Sequence, residues 1–496
     1  MALFMGVDVG TSGVKAVLID VRGRLLGAQT EPLALRTPRP GWAEQRPEDW
    51  WAASQRAIRG AIRRSRARPG QIAAVGFSGQ MHSSVFLDGR GRVIRPALLW
   101  CDGRTTEECR EVTERIGERQ LREWACNPVL EGFTLPKVLW LRKHEPGAFA
   151  RLSKVVLPKD YVRYRLSGEL ATEPSDASAT LMYDTAGRRW SRPLMEAVGL
   201  DPSLLPDVGG STEILGRVSK GASRATGLLE GTPLVGGGAD NACGAAGVGV
   251  VAPGDAVASW GTSGTVVAPT SEPRVDPGLR AHTFCHVVPD TWYVMGVMLT
   301  AGGAFAWHRD QLAPELRRKK DANELLNREA ARVPIGALGL TFLPYLQGER
   351  TPHRDAGARG AFVGLTLAHG RAHMTRAVLE GICFGLRDSL SIIRELGLPV
   401  EALLLTGGGA RSAFIRRLQA DIYGLPVVTV NREEGPPFGA ALLAAVGVGA
   451  FRDLAAAARA TLKRRAPQPH RPEAHATYEE AYRRYRVLYP ALRAVR

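Results

Sequence analysis

Two stretches of the chain repeat one plan: an apolar run, four small polar residues, then a second apolar run. In the first, Gly6-Val7-Asp8-Val9 passes through Gly10-Thr11-Ser12-Gly13 into Val14-Lys15-Ala16-Val17-Leu18-Ile19. In the second, Ala258-Ser259-Trp260 passes through Gly261-Thr262-Ser263-Gly264 into Thr265-Val266-Val267-Ala268. Short apolar runs bounded by glycine read as buried strands, so each stretch predicts strand, turn, strand. The first pair spans residues 4–9 and 14–19. Pro47, followed by two acids, opens a predicted helix to about residue 64, and residues 72–77 follow as a strand ending in Ser78-Gly79-Gln80-Met81-His82. Between 371 and 396, Met374, Val378, Ile382, Leu386, Leu390 and Ile393 recur at helical spacing until Gly397 and Pro399 stop the run. A strand at 402–406 then meets Gly407-Gly408-Gly409-Ala410, and a helix carrying Phe414, Leu418 and Ile422 follows. Residues 207–231 are polar and glycine-rich, 466–472 read as a linker and 474–496 as a terminal helix.

Strands that alternate with helices and end in glycine predict an α/β architecture with binding loops at the carboxyl edge of its sheets. At 496 residues the chain needs two or more domains, each large enough to bury a core. No apolar run is long enough to span a bilayer, and no leader precedes the first strand, so the expected compartment is cytoplasmic. The six cysteines are scattered without a Cys-x-x-Cys pair, which reads as buried reduced thiols rather than a zinc site or disulfide framework. Net charge is +16, but the arginines are dispersed and lack interleaved aromatics, so nucleic acid is not the expected partner. A basic surface that draws in an anionic nucleotide is the simpler reading.

A Gly-Thr-Ser-Gly turn can cradle an anion: glycine lets the backbone approach, successive N–H groups converge, and hydroxyls add donors. One copy alone would be an ordinary hairpin turn. Two copies in matching context, with an acid only in the first, suggest duplicated lobes gripping one polyphosphate. Gly10, Thr11 and Ser12, with Gly261 and Thr262, are the candidate phosphate contacts. Gly408 and Gly409 would let a flat adenosine lie against bare backbone. Asp8 is placed to hold a hydrated Mg²⁺ beside the phosphates. Asp240, after a buried strand and the glycines 236–238, can contact a hydroxyl and accept its proton during phosphoryl transfer, or can serve as a helix N-cap. His82 is a candidate donor to a substrate hydroxyl or a structural histidine bonded to backbone at a strand end, and Met81 an apolar wall or ordinary core packing. These residues point to a two-lobed, Mg²⁺-dependent phosphotransferase.

Further segments carry a family resemblance. Gly76-Phe77-Ser78-Gly79-Gln80-Met81-His82, Leu99-Trp100-Cys101-Asp102-Gly103-Arg104, Leu157-Pro158-Lys159-Asp160-Tyr161 and Phe342-Leu343-Pro344-Tyr345-Leu346-Gln347-Gly348-Glu349-Arg350-Thr351-Pro352 resemble the FGGY carbohydrate kinases, over nearly the whole chain. Gln80-Met81-His82 and the Pro-Tyr-Leu block are most similar to the members acting on D-xylulose. The resemblance implies a duplicated, two-lobed actin/hexokinase-like (ribonuclease H-like) fold with a central cleft. It implies a sugar-binding and catalytic lobe over 1–247, a nucleotide-binding lobe over 248–446, and a linker with helices over 447–496. It also implies ATP with Mg²⁺ and transfer of the γ-phosphate to the 5-hydroxyl of D-xylulose, giving D-xylulose 5-phosphate and ADP. Asp240 falls on the family's catalytic base, Gln80, Met81, His82 and Asn241 on the sugar side, and Gly261, Thr262, Gly408 and Gly409 on the nucleotide side. Two positions depart from the family pattern: Ala239 stands where glycine is more usual, and Cys101 where asparagine is common. The alternatives are a family member acting on ribulose, gluconate, glycerol or a deoxy sugar, and a non-catalytic sensor. A homodimer is compatible with the sequence but not required by it.

Overall fold

A computed structural model describes residues 2–432 and 434–494. The final positions of the expected terminal helix, 495–496, lie outside the described residues.

The first apolar run forms Leu3–Val9 (β1), the second Gly13–Asp20 (β2), and Leu25–Pro32 (β3) completes an antiparallel meander. Pro47 sits at the start of the helix Pro47–Ser65 (α1), which crosses back so that Ile72–Gly79 (β4) pairs parallel with β1. Much later in the chain, Pro233–Val235 (β5) and Gly238–Ala239 (β6) each pair parallel with β4, and Asp240–Ala246 (α2) follows at once.

The second half repeats the plan. Gly254–Trp260 (β7), Gly264–Thr270 (β8) and Trp292–Met298 (β9) form the meander. After the helices Gly302–Leu312 (α3) and Arg371–Glu395 (α4), Val400–Gly407 (β10) pairs parallel with β7. Beyond Ala413–Tyr423 (α5), Val427–Val428 (β11) pairs parallel with β10. Strand order β3-β2-β1-β4-β5 in one sheet thus corresponds to β9-β8-β7-β10-β11 in the other, with every pairing of the same sense. The duplication inferred from two tetrapeptides extends across both sheets.

Within the expected loop at 207–231 the structure holds short elements, Asp207–Val208, Ile214–Arg217 and the helix Lys220–Thr226. They are too brief to show a period in sequence.

One helix crosses the duplication. Pro436–Gly447 (α6) follows the second sheet in the chain but packs on β1 and β4 of the first and against α2. Glycine permits this approach: a Cβ at Gly6 would stand 1.8 Å from the Pro437 carbonyl oxygen, and one at Gly76 would stand 2.0 Å from that of Ala440. The last helix, Pro472–Arg493 (α7), returns to the second lobe and packs on α5. Gly76→Ala should therefore cost about 1–3 kcal/mol of overpacking or more, read as a lowered urea midpoint. An unchanged midpoint would mean that α6 does not lie on β4 at this distance.

Candidate active site

Strand register assembles the site. Across the parallel strands β1, β4 and β6, Asp8 pairs with Ser78 and Ser78 with Gly238, while Val9 pairs with Gly79 and Gly79 with Ala239. The next residues, Gly10, Gln80 and Asp240, consequently emerge at one level of the carboxyl edge. In the second sheet Trp260 pairs with Gly407, so the Gly261–Gly264 turn and the 407–410 glycines emerge together as well. The two edges meet where Thr265 Oγ1 donates to Asn241 Oδ1 at 3.4 Å. Between them lies a cavity of about 640 Å³, with Asp240 and Asn241 on one wall and Thr265, Gly407 and Ala410 on the other. That volume lies in the range of small-molecule sites.

Asp240 is not consumed as a helix cap: the N-cap of α2 is Ala239, with no side-chain cap bond. Its Oδ1 accepts from Asn241 Nδ2 at 3.0 Å. Burial, reinforced by the negative charge of Asp8, pushes its pKa up to about 7 despite the Asn241 bonds. Burial likewise raises Asp8 to about 6, with Ser78 and Lys15 pulling the other way. The Asp8 Oδ1 atom is buried without a protein partner. Two converging carboxylates, one with an orphaned oxygen, form the hard oxygen donor set that suits a Mg²⁺ ion. Ala239 adopts φ −55°, ψ 144°, open to any L-residue, so alanine in place of glycine adds no backbone strain.

Several expected contacts have other occupations. Gln80, placed on the sugar side by the resemblance, is 1% exposed; its Oε1 accepts from Thr11 Oγ1 and Ser83 Oγ, both at 3.1 Å, and its Nε2 donates to Gln45 Oε1 at 3.3 Å. It orders the first turn rather than facing the cleft. Thr11 Oγ1 also accepts from Trp100 Nε1 at 2.9 Å, and Gly10 N donates to Gly13 O at 3.1 Å, whereas Ser12 is exposed. Gly261 and Thr262 are exposed, and their carbonyls accept from the backbone of Ala301, Gly302 and Gly303 at the start of α3. Gly408 is exposed, but Gly409 is buried against Trp260, whose ring a Cβ would meet at 2.7 Å. Met81 is buried against Asn241, whose Nδ2 lies 3.5 Å from its sulfur.

His82 makes the backbone bond that was the alternative to a substrate contact. Its Nδ1 lies 2.6 Å from the Ala179 carbonyl oxygen, which can only accept, so Nδ1 carries the proton and Nε2 is a bare acceptor. The ring leans on Phe133 and Phe284, and burial drives its pKa down to about 3, with Arg350 and Lys137 adding to the shift. The ring can therefore accept from a hydroxyl at Nε2 but cannot donate to one.

Other residues at the site went unflagged. Thr265 stands one residue beyond the second turn yet bridges the lobes. Arg411, Arg416, Arg432 and Arg465 line the cavity, and Arg416 Nη1 is held by the carbonyls of Ala410 and Arg411. They come from three stretches of chain, around 411–416, 432 and 465, which only the fold brings together. Arg350 reaches across to the first lobe, where its guanidinium occupies the space beside Gly132.

Comparison with known proteins follows the same division. Residues 3–247 match the FGGY family of carbohydrate kinases, N-terminal domain, and residues 256–448 match its C-terminal domain. The chain belongs to the FGGY family of carbohydrate kinases. It is 39% identical to a xylulose kinase of Bacillus subtilis (strain 168) over 92% of this chain and 90% of the relative. It is 38% identical to a xylulose kinase of Escherichia coli (strain K12) over 99% of both chains. A solved structure described as a "xyloylose kinase" from Brucella ovis matches all of both chains at a TM-score of 0.91 and 36% identity. The fold is the two-lobed, actin/hexokinase-like α/β architecture of FGGY kinases. No helix among the described residues is long and apolar enough to cross a membrane.

The His82 assignment is testable. The unfolded chain takes up a proton near pH 6.5 and the folded ring not until about 3, so acid favours unfolding and this stability is lost as pH falls through that window. Imidazole ¹⁵N spectra should show the Nδ1–H tautomer without titration from pH 8 to 5. A midpoint near 6 would contradict the buried geometry.

Proposed function

We propose that this FGGY kinase transfers the γ-phosphate of ATP to the 5-hydroxyl of D-xylulose, with Asp240 as the base that receives the hydroxyl proton. The observation that carries the mechanism is the register: it delivers Asp240 to a cleft whose opposite wall holds Thr265, Gly407 and Ala410 of the second lobe. The choice of sugar rests on the similarity to xylulose kinases along nearly the whole chain.

In this reading the ketose lies against Met81, His82 and Asn241, with its reacting hydroxyl toward the Asp240 carboxylate. His82 Nε2 accepts from one hydroxyl, which favours a hydroxyl over an ether or methyl at that place. Ser12, with the backbone of Gly10 and Thr11, meets the phosphates from one side and the Gly261–Thr262 turn meets them from the other. Gly408, with Gly409 packed behind it, leaves room for the adenosine. Asp8 would hold Mg²⁺ through water, and the ion would neutralise charge on the phosphates. A base poised near neutrality suits the transfer, because the transition state is loose and the proton leaves late. Holding the hydroxyl in line with the phosphorus supplies much of the acceleration, and a closed cleft disfavours transfer to water.

Asp240→Asn should lower kcat by about 100-fold or more while ketose binding, followed by calorimetry, persists. A variant keeping more than roughly a tenth of the wild-type rate would remove Asp240 from this role. The substrate assignment is tested by ADP release across D-xylulose, D-ribulose, gluconate and glycerol. The largest kcat/KM should belong to D-xylulose, and a larger value for any other would overturn it.

A further inference from the structure

The loop that presents Asp240 is held from behind by a polar cluster that the mechanism above does not use. Glu173 caps the short helical turn Pro174–Ser178, its carboxylate accepting from Ser175 N and Asp176 N, both at 2.9 Å. The same carboxylate gathers two serine hydroxyls, Ser175 Oγ at 2.8 Å and Ser211 Oγ at 2.9 Å. Each serine in turn holds one peptide of the loop ending at Asp240. Ser175 Oγ accepts from Ala239 N at 2.8 Å, and Ser211 O accepts from Gly237 N at 2.9 Å. Glu173 and Ser175 are fully buried, and the Lys159 ammonium, also fully buried, stands 3.4 Å from Glu173, 2.7 Å from Asp160 and 3.1 Å from Asp176.

The direction of these bonds matters. The Ser175 proton is committed to the carboxylate, so its lone pair is what remains for the Ala239 N–H. Ala239 immediately precedes Asp240, and β6 is only two residues long, so strand pairing alone fixes this peptide weakly. We propose that Glu173, acting through Ser175 and Ser211, is a positioning residue that fixes the direction in which Asp240 presents its carboxylate to the acceptor hydroxyl. This rests on the assignment of Asp240 as the base. A displacement of about 1 Å at the reacting centre can cost on the order of 100-fold in rate, so loss of one such bond should be visible in turnover.

Ser175→Ala removes the bond to Ala239 without leaving a buried charge. It should lower kcat by about 10- to 100-fold and leave KM for D-xylulose and for ATP within about twofold. Ser211→Ala cuts the tie between Glu173 and the Ser211 backbone while leaving the Gly237 bond in place; it should lower kcat in the same sense by several-fold, and it supplies the reading should Ser175→Ala fail to fold. Thr172→Ala is the control. Thr172 Oγ1 donates to Asp160 Oδ2 at 2.7 Å, within the same cluster but away from the loop, so its loss should lower the melting temperature and spare kcat. Wild-type kcat in the folded serine variants, or an equal loss of kcat in Thr172→Ala, would overturn the proposal. An active Asp240→Asn enzyme would instead remove its premise, whereas an inactive one beside a fully active Ser175→Ala enzyme would sink the positioning role alone.

Discussion

Parallel pairing of β1, β4 and β6 sets Asp8, Ser78 and Gly238 side by side, and the chemistry of the cleft inherits that register. A slip of one residue in β4 against β1 would turn its inward set of side chains to the opposite face and separate Asp8 from Asp240. The hydrophobic pattern forbids it, since Val75 and Phe77 are fully buried on one side of β4 and Ala74 on the other. The second sheet reproduces the arrangement with the same strand senses, and it brings Thr265, Gly407 and Ala410 to the cavity that Asp240 lines.

Bringing two carboxylates together at a buried edge carries an electrostatic cost. The cost shows in the raised pKa values, about 6 for Asp8 and about 7 for Asp240, in the orphaned Asp8 oxygen, and in the commitment of Asn241 to Asp240. Both carboxylates gain when a cation enters and lose when a bare anion does. Four arginines, Arg411, Arg416, Arg432 and Arg465, line the same cavity as Asp240, so the cleft carries both signs of charge. Those arginines account for part of the +16 charge without invoking nucleic acid.

What could be read in the sequence was what is local. The two turns, the α1 start at Pro47 and the 25-residue periodicity of α4 depend on neighbours within one or two turns of chain. Asp240 was readable because glycines precede it after a strand. The protonation of His82 was not, since the carbonyl that fixes it belongs to Ala179, 97 residues away. The roles of Gln80 and Thr265 were hidden for the same reason: each depends on which residue stands across a strand or a cleft. The placement of α6 was hidden too, because an alanine-rich apolar helix fits either sheet and only Gly6 and Gly76 decide between them.

Because α6 lies on the first sheet while the chain reaches it from the second, the lobes are tied together at the α2–α6 crossing, beside the cavity. In the proposed reading the nucleotide tail enters between the two edges rather than onto one lobe. A crystal structure of the protein with D-xylulose, Mg²⁺ and a non-hydrolysable ATP analogue tests this directly. The account predicts the terminal phosphate between the Gly10–Gly13 and Gly261–Gly264 turns, with a ketose hydroxyl facing the Asp240 carboxylate. A terminal phosphate bound outside the space between the turns, or an Asp240 carboxylate turned away from the ketose, would contradict it.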